Sequence, residues 1–451
     1  MSDGSRAAAL AARYRTGPWP GGFPDPVLTF LGGTGCARCL VETPGTTLLV
    51  GCGLFAGPDA ARRGNFSPGP DEFHAADAVL LPSAALGHAG FLPQLVAEGW
   101  HGPVFATPAT AALLPAVLSD AATQFAEDAD RSPFGVGLPP FRPADVTRAV
   151  ALLRPVDFGT PHRLDGAEFE FGRAGGRLGA AWVRIRAEGR SVVLAGPLGA
   201  DDHPLLRAPD PRPRSDVLVL TAPHPPGDGH LAGRFAAAVH RAFRRGGSVV
   251  VLASAAGGTE LVLTMVRNLV DAGEIPPSPV LLDGGAGLEV FRRAVAEQWP
   301  ELRRDRRFEE PGSLVAEVPD RPSIIVPGPE PADVGRVLRH LETLLPDPRN
   351  GVILLGHPAP GTRAARLGAG ARHVKIHGRY HPVRAEVTAL GSTGEFADPA
   401  ELLAWATASP APETAFVVDG PARPSHALAK ALHAEAGWCA VVPEDGERVL
   451  W

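Results

Sequence analysis

The sequence predicts an α/β protein, because strand-like and helix-like segments alternate along most of its length. Short apolar runs bounded by Gly and Pro indicate strands at Val27–Phe30, Cys39–Glu42, Thr47–Val50 and Ala78–Leu81. Apolar residues at spacings of three and four indicate helices at 91–98, 109–122 and 400–406. The 451 residues are enough for two domains, or for one domain with a large insertion.

A Pro- and Arg-rich stretch at 207–214 provides the clearest domain boundary. Beyond it, strands are predicted at 216–220, 248–252, 279–283 and 351–356, and helices at 232–245, 260–272 and 332–345. This regular alternation is typical of a parallel, doubly wound unit.

The composition narrows the classes of partner. A net charge of -6 and a pI near 6.2 argue against binding nucleic acid through a broad positive field. The first residues contain no apolar run of signal-peptide length, and no later segment offers about twenty uninterrupted apolar residues. We therefore expect a cytoplasmic protein without a membrane partner.

Several long stretches carry a resemblance to a known family. They read VLTFLGGTGCARCLVETPGTTLLVGCGLFAG at 27–57, DAVLLPSAALGHAGFLPQLVAEGWHGPVFATPAT at 77–110, AGGRLGAA at 174–181, VVLAGPLGADDHPLL at 192–206 and LLPDPRNGVILLGHPAPGTRAARL at 344–367. In this order they resemble the β-CASP branch of the metallo-β-lactamase-fold RNA-processing nucleases. The likeness covers roughly residues 25 to 450.

The resemblance implies a four-layer αββα metallo-β-lactamase sandwich into which a Rossmann-like β-CASP cap is inserted, with the active site in the cleft between them. Combined with the boundary near residue 208, it implies a first sandwich portion at 1–207, a cap at 208–363 and a last sandwich portion at 364–451.

The family's chemistry uses two zinc ions that activate a water for attack on a phosphodiester, held mostly by His and one bridging Asp. The resemblance places the ligand positions at Gly51, Ser83, Ala85, Gly87, His88, Gly176, Pro197 and Asp419. Only His88 and Asp419 could still coordinate, because Gly, Ala and Pro side chains offer no donor. Further family polar positions are occupied by Thr221, by Phe396 and by the segment 328–331.

This concerted loss favours a catalytically inactive homologue that acts as a binding or scaffolding protein. On this hypothesis no cofactor is expected. The resemblance implies a homodimer, or a heterodimer with an active paralogue.

Two alternatives remain open. One is a hydrolase of phosphodiesters, or of other esters or amides, with a rebuilt zinc site; its candidate residues are His88, Asp201, Asp202, His203 and Asp419. The other is a non-catalytic RNA binder that keeps the family's substrate groove, although the acidic net charge weakens it.

The four cysteines are too few for a disulfide framework. Cys36 and Cys39 have the C-x-x-C spacing of zinc and redox sites. We expect core packing for Cys39, Cys52 and Cys439. Cys36, close to the expected cleft, is the thiol whose reactivity merits a test.

Overall fold

The computed structural model describes residues 25–32, 38–55, 64–131, 140–223, 229–252, 258–283, 286–305, 308, 310–311, 314–315, 320–327, 335–356, 358 and 361–451. The helices of this part are α1 (Asp71–His74), α2 (Leu86–Ala89), α3 (Leu92–Ala97), α4 (Pro108–Arg131), α5 (Pro143–Ala151), α6 (Leu231–Arg244), α7 (Gly258–Asp271), α8 (Ala286–Ala296), α9 (Arg336–Leu344), α10 (Arg363–Gly368), α11 (Pro399–Thr407) and α12 (Ala422–Ala436), with a 3-10 turn at Gly64–Phe66. None of these helices combines the length and the apolar composition that a membrane crossing needs.

Two seven-stranded sheets form the centre of the molecule. The first has the order β22 (Arg448–Leu450), β1 (Val27–Phe30), β2 (Cys39–Glu42), β3 (Thr47–Val50), β4 (Ala78–Leu81), β5 (Val104–Ala106) and β6 (Leu153–Pro155). The second has the order β21 (Ala440–Val441), β20 (Thr414–Val418), β11 (Val217–Thr221), β10 (Arg190–Ala195), β9 (Ala181–Ala187), β8 (Ala167–Arg173) and β7 (His162–Leu164).

The two sheets pack face to face, and helices cover both outer faces. Leu28, Leu80, Phe169 and Val219 belong to one apolar cluster between the sheets. A second cluster joins the first sheet to α3, α4 and α5, and a third joins the second sheet to α11 and α12. The result is the expected four-layer αββα sandwich, in which each sheet buries both of its faces.

A third sheet belongs to the inserted unit. Its order is β14 (Leu314–Val315), β13 (Val280–Asp283), β15 (Ile324–Pro327), β12 (Val249–Leu252), β16 (Gly351–Leu354) and β19 (Glu386–Ala389). All its pairings are parallel. Helices α6, α7 and α8 cover one face, while α9 and α10 cover the other. This confirms the predicted doubly wound arrangement. A separate hairpin joins β17 (His373–Ile376) to β18 (Arg379–Pro382).

The chain changes units at positions other than the expected ones. The strand predicted at 216–220 was expected to open the cap, but β11 pairs in parallel with β10 and β20 of the second sandwich sheet. Conversely, β19 lies beyond residue 363 and still belongs to the third sheet. The residues of β11 are all buried. A fully buried apolar strand suits the middle of either sheet, so its pattern does not reveal its partners.

Candidate functional site

Loops that follow the strands of both sandwich sheets meet at one end of the sandwich. Gly51 N–H donates to the Leu80 carbonyl at 2.8 Å, and Cys52 N–H donates to the His88 carbonyl at 2.7 Å. Ala181 N–H donates to the Pro82 carbonyl at 2.8 Å, which links the two sheets. These bonds hold together the loops after β3 and β4 and the loop between β8 and β9. Gly51, Ser83 and His88 therefore lie on segments that contact one another.

His88 lies in α2 and is buried. Its Nδ1 is 2.7 Å from the Ser83 hydroxyl, which also accepts a 3.3 Å hydrogen bond from Ala85 N–H. The hydrogen bond shared by the Ser83 hydroxyl and Nδ1 fixes the orientation of the imidazole ring. Burial, and secondarily the Arg177 charge, lower the pKa of His88 to about 3. His88 is thus a neutral, oriented imidazole beside Gly196, where an added methyl would lie 3.4 Å from its Cε1.

Other side chains fill the space next to Gly176. This glycine has φ of 71°, and an added methyl would lie 3.1 Å from the Phe396 ring. The guanidinium of Arg177 lies over the same ring, 4.7 Å from its centroid. Its Nε is 3.4 Å from Oε1 of Glu395, and the two side chains are only 13% and 3% exposed. A fixed cation therefore occupies the neighbourhood where the resemblance implies metal ions.

Glu395 is an unusual carboxyl group. Burial raises its pKa to about 8, although the neighbouring Arg177 opposes the shift. The Glu260 carboxyl adds a smaller upward contribution. Burial also raises the pKa of Glu260, at the start of α7. Glu395 of the sandwich and Glu260 of the inserted unit are thus two carboxyl groups whose charged forms are disfavoured by burial.

Arg177 and Glu395 were not among the residues predicted from the sequence. Each directly adjoins a residue singled out by the family motif, Gly176 or Phe396. A charged residue of each sign beside a lost ligand position was the available signal. Their pairing could not be read from the sequence, because 218 residues separate them.

His203 has a structural role in the fold. Its buried Nδ1 accepts hydrogen bonds from Leu205 N–H at 3.1 Å and from Leu206 N–H at 2.9 Å. Burial lowers its pKa to about 4, against a hydrogen bond with the Gly176 backbone. With Nδ1 used by two donors, His203 stabilises the turn after β10.

The three acidic candidates, Asp201, Asp202 and Asp419, are less buried than His88. Asp202 is 82% exposed and pairs with Arg303 at 2.8 Å. Asp201 is exposed, and its backbone N–H donates to Glu401 at 3.1 Å. Asp419 follows β20 with a left-handed φ of 55° and is half-buried near Cys39. The ion pair between Asp202 and Arg303 is a solvent-exposed one, and such pairs contribute little to stability.

The cysteines divide by exposure. Cys39 and Cys52 are buried, and burial raises the pKa of each thiol to about 12, so both are inert. Cys439 is exposed, which corrects the expectation that it packs in the core. It lies just before β21, whose two residues are an edge pair with little cover. Cys36 and the segment 328–331 lie outside the described residues.

The donor set does not fit a dinuclear zinc centre. Across the described residues, no three His, Cys, Asp or Glu side chains converge on a position that could hold a metal ion. Gly51, Gly176 and Pro197 supply no side-chain donor, and the Arg177 guanidinium would repel a dication. The rebuilt set proposed from the sequence is likewise not gathered into such a group within the described part.

Comparisons with known proteins agree with this architecture. A model of the Beta-Casp domain matches residues 259–367. Ribonuclease TTHA0252 of Thermus thermophilus is 32% identical over 84% of this chain and 89% of its own length. The chain belongs to the β-CASP family.

More distant members extend the same family relationship. Transcription termination factor FttA of Methanosarcina mazei is 25% identical over 78% of this chain. The chain spans 59% of that relative's length. An RNase J-like protein of Methanocaldococcus jannaschii is 24% identical over 87% of this chain and 92% of its own length. The metallo-β-lactamase sandwich and the β-CASP unit are thus shared with proteins named as ribonucleases and termination factors.

Proposed function

We propose that this chain is a non-hydrolytic, cytoplasmic β-CASP protein that serves as a binding or scaffolding protein. The proposal is carried by the residues at the ligand positions: five of the eight are Gly, Ala or Pro, and Phe396 with the Arg177–Glu395 pair lies beside Gly176. Function resides in the site and not in the fold, so the fold by itself does not supply hydrolysis.

The physical argument concerns how water becomes a nucleophile. Metal-assisted hydrolysis needs an ion that lowers the pKa of a bound water to about 7. In this cleft the neutral His88 is hydrogen-bonded to Ser83, and the charged group that acts on it is the Arg177 guanidinium. Neither side chain can act as the Lewis acid: the neutral imidazole carries no positive charge, and the guanidinium offers N–H donors and no coordination position for water.

The proposed binding partners are a second protein chain and RNA. A dimer with a second copy, or with an active paralogue, would let the retained fold position a catalytic partner. RNA is a reasonable ligand class because relatives carry the names ribonuclease and transcription termination factor.

Metal content and turnover test the proposal together. We expect the purified protein to carry less than stoichiometric zinc and iron by elemental mass spectrometry. Cleavage of RNA and of a simple aryl phosphodiester should stay at background, with or without EDTA, and His88→Ala should not change it. The Thermus relative, assayed in parallel, provides the positive control for RNA.

Two equivalents of tightly bound metal would contradict the proposal. So would turnover that EDTA and His88→Ala both abolish; that outcome would favour a hydrolase rebuilt around His88, Asp201, Asp202, His203 and Asp419.

A further inference from the structure

Helix α4 of the sandwich carries one stripe of side chains that faces the inserted unit. Ala109, Leu113, Asp120, Gln124 and Glu127 recur at helical spacings along its 24 residues, so they lie on the same side of the helix. The stripe is apolar toward its first end and polar toward its second. The two halves therefore contact the inserted unit by different interactions.

The apolar half belongs to a cluster that spans the two units, here named the apolar seam. Its buried members are Ala109, Leu178, Leu205 and Leu206 of the sandwich and Leu261, Phe291 and Ala294 of the inserted unit. Backbone hydrogen bonds reinforce it: Arg207 N–H donates to the Glu301 carbonyl at 2.9 Å, and Arg303 N–H donates to the Leu205 carbonyl at 3.0 Å. The seam is thus both packed and hydrogen-bonded.

The polar half contacts α9 through two ion pairs, here named the latch. Nη1 of Arg336 lies 2.6 Å from Oδ1 of Asp120, and Arg339 pairs with Glu127. The contact is close, because a methyl added to Gly335 would lie 1.6 Å from Oε1 of Gln124. Yet the side chains of Arg339 and Glu127 are still 39% and 35% exposed.

The seam and the latch differ in how easily they separate. Separating the seam exposes apolar surface to water, which is unfavourable at any ionic strength. Partly exposed ion pairs are weak, and salt screens them. The latch is therefore the part of the contact that yields first.

The contact between the units borders the cleft. The Glu260 carboxyl, at the start of α7 in the inserted unit, acts electrostatically on Glu395 of the sandwich. Glu395 pairs with Arg177, whose charge in turn acts on His88. Both His88 and Glu395 are buried in this closed arrangement. Moving the inserted unit away from the sandwich would uncover them.

We propose that the latch holds the inserted unit closed over the cleft, and that its release opens the cleft with the apolar seam as the hinge. The four side chains that act are Asp120 and Glu127 of α4 and Arg336 and Arg339 of α9. Such a gate controls access to the cleft whether or not the cleft hydrolyses anything, so it does not depend on the proposed function.

The rate at which diethyl pyrocarbonate modifies His88, followed by mass spectrometry of its peptide, measures opening. The exposed His101 of the same protein is the internal reference for the reagent. Glu127→Arg places like charges opposite Arg339 and should accelerate the reaction at His88 up to about fivefold. Adding Arg339→Glu restores an ion pair and should restore the original rate. Added salt should accelerate the reaction in the unaltered protein and not in Glu127→Arg.

The matched control is Glu413→Arg, which reverses one charge of the exposed Arg190–Glu413 pair within the sandwich and should leave the rate at His88 unchanged. Glu127→Gln removes the charge without creating repulsion and should give a smaller acceleration, so it serves as the test if Glu127→Arg fails to fold. Unchanged rates in both Glu127 variants, no recovery with Arg339→Glu, or equal acceleration by Glu413→Arg would overturn the latch.

Hydrogen exchange tests the hinge separately. The amides of Arg207 and Arg303 should stay as protected in Glu127→Arg as in the unaltered protein, because the apolar seam remains closed. Faster exchange at both amides would show that the two units separate completely and that the seam is not a hinge.

Discussion

His88 stands at a position where the resemblance implies a metal ligand, but its surroundings are those of a buried, neutral imidazole. The resemblance implies a metal ligand at this position, yet the ring is buried, hydrogen-bonded to Ser83 and neutral. The Ser83 hydroxyl satisfies Nδ1, so burial of the imidazole leaves that nitrogen paired. His203 is similarly buried, with two backbone N–H groups at its Nδ1.

Both histidines make stability depend on pH. Their folded pKa values, about 3 for His88 and about 4 for His203, lie below the ordinary 6.5. The unfolded chain therefore binds more protons in this window, so the stabilisation is complete above pH 6.5 and is lost as the pH falls toward 4. We expect the free energy of unfolding to fall by up to about 1.4 kcal/mol per pH unit for each histidine.

Urea unfolding at a series of pH values would check this expectation. His88→Gln should flatten part of the acid slope, while substitution of the exposed His101 by Gln should leave the slope unchanged. An acid slope that is identical in all three proteins would contradict it.

Among the elements, the loops around the cleft keep their glycines for packing. An added methyl on Gly53 would lie 1.7 Å from the Gly87 carbonyl oxygen, and one on Gly199 would lie 2.1 Å from Gly176 N. Both contacts are with backbone, which cannot swing aside as a flexible side chain can. Close backbone packing therefore requires glycine at these two positions, independently of any metal ligand nearby.

Gly53→Ala should lower the free energy of unfolding by about 1–3 kcal/mol, because the loop after β3 must separate from α2. Gly233→Ala is the matched control: it lies in α6 with open space at its Cβ position. There alanine should raise stability by up to about 1 kcal/mol through its helix propensity. Denaturant unfolding of both variants gives the comparison, and equal effects would contradict the packing argument.

At the level of the whole molecule, the two ends of the described chain join the same sheet. β22 pairs antiparallel with β1, and Trp451 N–H donates to the Pro26 carbonyl at 3.0 Å. The Trp451 side chain is only 2% exposed and belongs to the cluster between the two sandwich sheets. The core between the two sandwich sheets thus includes contacts between residues from opposite ends of the described range.

Trp451→Ala should therefore lower the free energy of unfolding by about 3 kcal/mol or more, because it leaves a large cavity between the sheets. Tyr380→Ala, on the exposed hairpin, should change it by less than about 0.5 kcal/mol. Denaturant unfolding followed by far-UV circular dichroism measures both. A Trp451→Ala protein as stable as the Tyr380→Ala protein would show that the ring contributes little to the core.

Local sequence patterns predicted several of the individual elements. The four early strands were predicted with the bounds the structure gives them, and the helices near 232–245 and 260–272 are α6 and α7, shifted by one or two residues. Such features depend on periodicity and on Gly and Pro within a short window. The family resemblance implied the ligand positions, and the residue types at those positions were then read from the sequence.

Only the tertiary structure decided which residues far apart in the sequence contact one another. It assigned β11 to the sandwich, joined Arg177 to Glu395, and placed Tyr380 opposite Lys375 on an exposed hairpin. The sequence by itself determined the α/β class, because that follows from residue type and local spacing, and the family resemblance implied which residues stand at the ligand positions. Which residues meet depends on how sheets and helices pack, and that information is distributed over the whole chain.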